Sequence, residues 1–235
     1  MQDQLDIHHS PDDGPLGERL WTLAPGSRVL IAPGTYRAPL ALPADVALVA
    51  EKGLGSVTIE APQGATLSIE GAQRVELVDL VLRGPRRATG AVIKVYERAE
   101  VRLTGCLITG GRGEGEGGGG LDLQQGHVVL DRCRITRNSA LRGAGVRVQG
   151  PVWLEIRNSV IADNEARDGG GGIFVGDRAI VDLVGVTFVG NVARLGPALL
   201  VGSSPADAGK AAVRNGLFAS TSPELSATTE RLGLL

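Results

Sequence analysis

Glu155 and Asp182 stand 27 residues apart, and Lys94, Asp122 and Arg147 follow one another at steps of 28 and 25. If the chain repeats near that length, each set stacks into a column with its backbone one strand spacing, ~4.8 Å, from coil to coil. Glu155 over Asp182 would then be a carboxyl pair compatible with glycoside hydrolysis, where the two groups stand roughly 5–9.5 Å apart. A like-charged pair is also one source of the raised pKa that a general acid needs. Against catalysis, Glu76 with Arg102 and Asp131 with Arg157 set opposite charges one repeat apart, as structural pairs do. Lys94, Asp122 and Arg147 place one aspartate between two cations, which reads as a cross-strand ladder whose exposed pairs are each worth under ~1 kcal/mol. A third group, Asp163, Glu165 and Asp168, surrounds Asn164 and could hold calcium through carboxylates and turn carbonyls. Arg137, Arg142 and Arg167 in nearby turns make an ion-paired rim an equal explanation.

The elements that would position these residues repeat. The segments at 133–138, 159–164 and 186–191 end in Asn138, Asn164 and Asn191, and each is followed by an alanine, a glycine-rich bend and a fresh apolar strand. A fixed period with fixed turn residues marks a solenoid. Apolar residues alternate within each repeat, as in Leu121-Asp122-Leu123 and Val146-Arg147-Val148, which is the period of a half-buried strand. Short strands separated by turns every 26 residues or so predict an all-β, single-stranded parallel β-helix of about seven coils. Glycine and asparagine tolerate the left-handed turn conformations, and stacked asparagine amides can bond one another. Cys106 and Cys133, 27 residues apart, fall in one slot with Leu80, Ser159 and Val186. That slot faces inward, so the pair reads as buried thiols, with a disulfide as the alternative.

The run ValLeuIleAlaProGlyThrTyr (29–36), with ProLeuAlaLeu (39–42) and ValAlaLeuValAla (46–50) after it, resembles the opening coil of the right-handed parallel β-helix superfamily that includes pectate lyases. GlyGlyGlyIlePheVal (170–175) with ThrPheValGlyAsn (187–191) is similar to the GGAI and FxxN repeats of bacterial polymorphic outer-membrane proteins. The resemblance implies a right-handed helix over residues 20–220, on a fold that carries lyases, hydrolases, adhesins and inactive proteins alike. In related lyases the face bearing Lys94, Asp122 and Arg147 carries the chemistry: a basic side chain removes the proton beside a sugar carboxylate while calcium, held by several acids, neutralises it. Here no such calcium cage forms, and the motifs associated with β-helix polygalacturonases, paired aspartates and GlyHisGly among them, are missing.

Thirty-five glycines and 3% aromatics suit a narrow core of small aliphatics, and a net charge of −2 argues against nucleic acid or an anionic membrane as partner. No apolar run reaches the ~18 residues of a membrane span. Residues 1–14 are polar and acidic and read as a disordered tail, in which His8 and His9 could bind metal only adventitiously. Residues 15–222 form the helix, opened by a short capping helix within 15–23 whose Trp21 plugs the first coil. Residues 223–235 cap or trail the last coil. The glycine-rich stretch 110–120 reads as a mobile turn, or a flexible lip over the adjacent face. His127, the sole histidine within the coils, is expected to precede a strand at a different point of the turn from Cys106 and Cys133, so neither cysteine reads as a nucleophile. Trp153 and Tyr96 are the mid-chain aromatics able to meet a sugar ring.

The expectation is therefore a non-catalytic scaffold or recognition module, monomeric and without cofactor, that contacts a protein or a glycan through its long faces. The alternative is a polysaccharide lyase or glycoside hydrolase. The start of the chain lacks the basic and apolar pattern of a signal peptide, which suggests the cytoplasm; a domain of a secreted or surface protein is the other reading.

Overall fold

The computed structural model describes residues 6–42, 45–69, 74–202, 209–219, 225–226 and 232–234. Each alternating run becomes a strand whose apolar residues turn inward, and like strands of successive coils pair in parallel. Ten strands, from Ile7–His9 to Leu232–Leu234, form the first sheet. Eight, from Leu40–Leu42 to Leu225–Ser226, form the second, and eight more, from Gly34–Tyr36 to Leu217–Ala219, form the third. The short strands Ser139–Arg142 and Glu165–Gly169 pair at a fourth corner. The product is a right-handed parallel β-helix of about eight turns. The turn beyond the seven expected comes from Leu225–Ser226, which pairs with Leu199–Val201 inside what was read as a cap or tail.

Register holds equivalent residues one above another. Leu77, Leu103, Leu130, Ile156 and Leu183 follow one another in the first sheet, and all are fully buried. Burying such a side chain contributes about 1.5–3 kcal/mol. The turn out of this sheet is as regular: Asp79, Gly105, Arg132, Asn158, Gly185 and Asn215 all have φ between 49° and 65°. Left-handed backbone recurs at one corner of six coils, so glycine and asparagine there serve the turn.

The asparagine column is a closed polar ladder. The Asn138 amide donates to Asn164 Oδ1 at 3.0 Å and the Asn164 amide to Asn191 Oδ1 at 3.0 Å. Each Nδ2 also donates to a strand carbonyl below, Ile108, Ile135 or Ile161. Each Oδ1 in turn accepts a backbone N–H: Gly111 on Asn138, Asn138 on Asn164 and Asn164 on Asn191. All three side chains are buried, and every donor has a partner, as a polar group in an apolar interior requires.

Cys106 and Cys133 lie in the inward slot with Leu80, Ser159 and Val186, all buried, and both are free thiols. Cys133 Sγ has the carbonyls of Asp131 and Leu103 within reach at 3.4 and 3.5 Å as acceptors for its single S–H. The bond to Cys133 and then burial push the Cys106 thiol well up.

The amino-terminal end corrects two expectations. Of the tail expected over 1–14, Ile7–His9 is instead a strand paired with Ser27–Ile31, and Pro11–Asp13 is a turn of 3-10 helix held by Ser10 and Asp13. The period of two explains it: His9 turns inward against Tyr36, with ring centroids 5.7 Å apart, and is only 1% exposed. The capping helix forms, as Leu16–Leu20, with Leu16 and Leu20 buried toward Leu40–Leu42. Trp21, however, is 66% exposed and plugs nothing, because the helix ends one residue before it and its indole falls on the solvent side.

Two outcomes are expected. Asn164→Ala removes four side-chain hydrogen bonds and leaves buried partners unpaired, costing roughly 3–5 kcal/mol in urea unfolding. His9 has its pKa lowered, chiefly by burial, and neither ring nitrogen has a partner among the described residues. The fold therefore prefers the neutral ring, while the unfolded chain takes up a proton as pH falls through about 6.5. Stability from this group is complete above that pH and lost below it. The melting temperature should fall between about pH 7.5 and pH 5.5, with a shallower slope in His9→Phe.

Candidate functional site: the outer face of the first sheet

In a strand whose alternate residues fill the core, the others stand outward, and stacking turns them into columns. On the first sheet His127, Trp153 and Ile180 occupy one column, Val129, Glu155 and Asp182 the next, and Asp131, Arg157 and Val184 a third. The His127 and Trp153 rings stack at 4.7 Å and 20°. Trp153 is 51% exposed and Ile180 beside it 54%, so an aromatic and aliphatic ridge faces solvent. Trp153 lies within the strand Val152–Arg157.

Glu155 is 8% exposed. Its Oε1 is 3.1 Å from His127 Nε2, and its Oε2 accepts from Arg157 Nη2. Asp182, directly over Glu155 in register, accepts instead from Arg214 of the following coil at 2.6 Å. The expected carboxyl stack thus exists in the backbone, but each carboxylate is engaged by cations of its own. His127 belongs with this site and stands within a strand, not ahead of one as expected. It opens the strand Gly126–Asp131 as the second residue, and the 26-residue step to Trp153 already marked it.

Lys94, Asp122 and Arg147 stack on the second sheet as their spacing predicts, within a column that runs from Ala41 through Ser68, then on through Phe174 to Leu200. Its ladder is half of what was read. Arg147 Nη1 donates to Asp122 Oδ1 at 3.0 Å, both side chains largely buried, whereas Lys94 has no ion pair among the described residues. Arg147 does not continue the charge, because Phe174 follows it and Arg142 lies over that ring at 5.7 Å.

Of the acidic group at Asn164, Asp168 is clamped between Arg142 at 2.7 Å and Arg194 at 2.6 Å. The hydrogen bonds from Arg194 and Arg142 hold its carboxyl below the usual range. The three acids Asp163, Glu165 and Asp168 do not converge: among the described residues, no three His, Cys, Asp or Glu side chains group closely enough to hold a metal ion. Of the expected ion-paired rim, Asp168 carries ion pairs, with Arg142 and Arg194. Nor is 110–120 a loose lip. Arg112 bridges to Gly90 and Ser139, and the Gly113 N–H donates to Ser139 at 2.7 Å.

These observations define a right-handed parallel β-helix of the pectate-lyase-like fold, with ion-paired columns on its faces. More particularly, the chain belongs to the family described as right handed beta helix region, which matches residues 53–218. A search of curated protein sequences finds no match. Among solved structures, the pectin methylesterase of Aspergillus niger is similar with a TM-score of 0.56 at 12% identity, over 97% of this chain and 91% of that one. The pectin methylesterase of carrot is similar with a TM-score of 0.59 at 11% identity, over 97% and 88%. An alginate lyase is similar with a TM-score of 0.56 at 11% identity, over 98% of this chain and 39% of its own. At such identities the likeness is one of fold.

The half-ladder separates its two ends energetically. Arg147→Met leaves Asp122 buried and unpaired and should cost about 3–5 kcal/mol, whereas Lys94→Ala should stay within about 0.5 kcal/mol. Chemical denaturation of both variants measures the contrast.

Proposed function

We propose that this β-helix is a recognition module that holds a glycan chain along the outer face of its first sheet without cleaving it. The observation that carries the reading is the exposed ridge of Trp153, stacked on His127 and continued by Ile180. A flat apolar surface of this kind suits the C–H face of a sugar ring, while polar tips at its edge bond hydroxyl groups. Glu155, Arg157, Asp182 and Arg214 flank the ridge as pairs already engaged with one another, which supports binding over proton transfer. A fold shared with pectin methylesterases agrees with a polysaccharide partner.

One observation favours an enzyme instead. His127 Nε2 and Glu155 Oε1 at 3.1 Å form a base and its orienting carboxylate, the pairing that general acid–base catalysis employs. The experiment is titration of the purified chain against neutral and acidic polysaccharides, with products followed by reducing ends and by absorbance of unsaturated sugars. The recognition reading expects saturable binding that weakens about tenfold in Trp153→Ala, with no product. Product that vanishes in Glu155→Gln would establish the enzyme reading. Binding unaltered by Trp153→Ala would remove this face as the site.

A further inference from the structure

On the third sheet the first coils carry a second cluster, away from the Trp153 ridge. Glu60 closes the strand Val57–Glu60, and its register partner is Arg83 of the next coil. Arg37 follows the strand Gly34–Tyr36 one coil earlier. Arg37 Nε donates to Glu60 Oε1 at 3.0 Å and Arg83 Nη1 to Oε2 at 3.4 Å, while Arg86 Nη2 stands 3.9 Å from the same Oε2. Beside them opens a cleft of about 390 Å³ lined by Arg37, Glu60, Arg86 and Arg87, with Ala61 and Pro62 as an apolar wall.

Two arginines are enough to satisfy this carboxylate. The hydrogen bond from Arg37 holds the Glu60 carboxyl low even though burial opposes it. Arg86, at its 3.9 Å, lies beyond hydrogen-bond reach of Glu60. Arg87 enters no ion pair among the described residues. Among the described residues four guanidinium groups therefore gather at one carboxylate, leaving three positive charges in excess there in a chain whose net charge is −2. Folding does not require that surplus at one cleft, and mutual repulsion opposes it. Arginine forks match planar oxyanions in two-pronged geometry, and a cleft of this size suits a monosaccharide-sized ligand.

We propose that the cleft lined by Arg37, Arg86 and Arg87 binds the oxyanion of a sugar-sized ligand, a carboxylate or a phosphate ester. Arg87 and Arg86, the latter in a long ion pair with Glu60 but making no hydrogen bond to it, supply the forks, Arg37 the third cation, and Ala61 and Pro62 contact the ligand's apolar side. Glu60 is a positioning residue that fixes Arg37 and Arg83. The site does not depend on the Trp153 reading.

The test is calorimetric or NMR titration of the full chain at low salt with glucuronate, inorganic phosphate and glucose. Saturable binding of an oxyanion, but not of glucose, is expected; glucuronate binding tighter than phosphate assigns a carboxylate, and the reverse a phosphate ester. Binding should weaken at least about tenfold in an Arg86→Ala/Arg87→Ala double variant. Both side chains are exposed, so the variant should fold normally. Lys52→Ala, which removes an exposed cation elsewhere, should leave binding unchanged. Absence of saturable binding to both anions, or equal affinity in the double variant, would overturn the proposal.

Discussion

The structure depends on one constraint: the same residue must return to the same place after every coil. Parallel strands impose it through evenly spaced backbone bonds, and the buried asparagines 138, 164 and 191 make it stringent. An asparagine displaced by one position would leave its amide, the next amide and a strand carbonyl unpaired in an apolar interior, each costing about 1–3 kcal/mol. The glycines inside the same coils act in the same sense. A Cβ at Gly120 would strike the carbonyl of Gly145, one at Gly145 that of Gly172, and one at Gly172 that of Ala198. Coils approach one another there as closely as backbone allows.

Given that constraint, the outer faces follow. Side chains in register on adjacent coils must be compatible with their neighbours, so many of the charges on these faces are paired. Asp122 with Arg147, Glu155 with His127 and Arg157, and Asp182 with Arg214 are the outcome. Against this background two places stand out: the ridge of Trp153, where stacking exposes apolar surface, and the cleft at Arg87, where one sign of charge is left over.

The sequence carried most of the architecture because the period is itself the architecture. The column from Ala41 to Leu200, the inward cysteine slot and the asparagine stack were all legible from residue spacing and are reproduced in register. What escaped lies where spacing or composition departs from the rule. Arg37, Glu60 and Arg83 are joined at steps of 23 residues, shorter than the central period, so they never lined up as a cluster. Ile7–His9 sits among acids that mask its alternation. Leu225–Ser226 lies 26 residues beyond Leu199–Leu200 and so keeps the period, but two residues without an alternating apolar run do not announce a strand. Ion pairing was less legible still, since side-chain reach decides it: Asp182 meets Arg214, 32 residues away, and not a neighbour at the repeat length. His127 was within reach of the period, and only the strand boundary assigned to it hid its contact with Glu155.

The asparagine ladder also has a mechanical consequence. It joins the coils that carry residues 138, 164 and 191 and ties the first of them to the coil of Ile108 and Gly111, whereas the outer coils hold together by backbone pairing, apolar stacking and exposed or half-exposed ion pairs. In a solenoid each coil touches only its neighbours, so tension applied between the termini is borne in series and the weakest junction yields first. The chain would peel inward from both ends, and the segment that opens last is the one bearing Trp153.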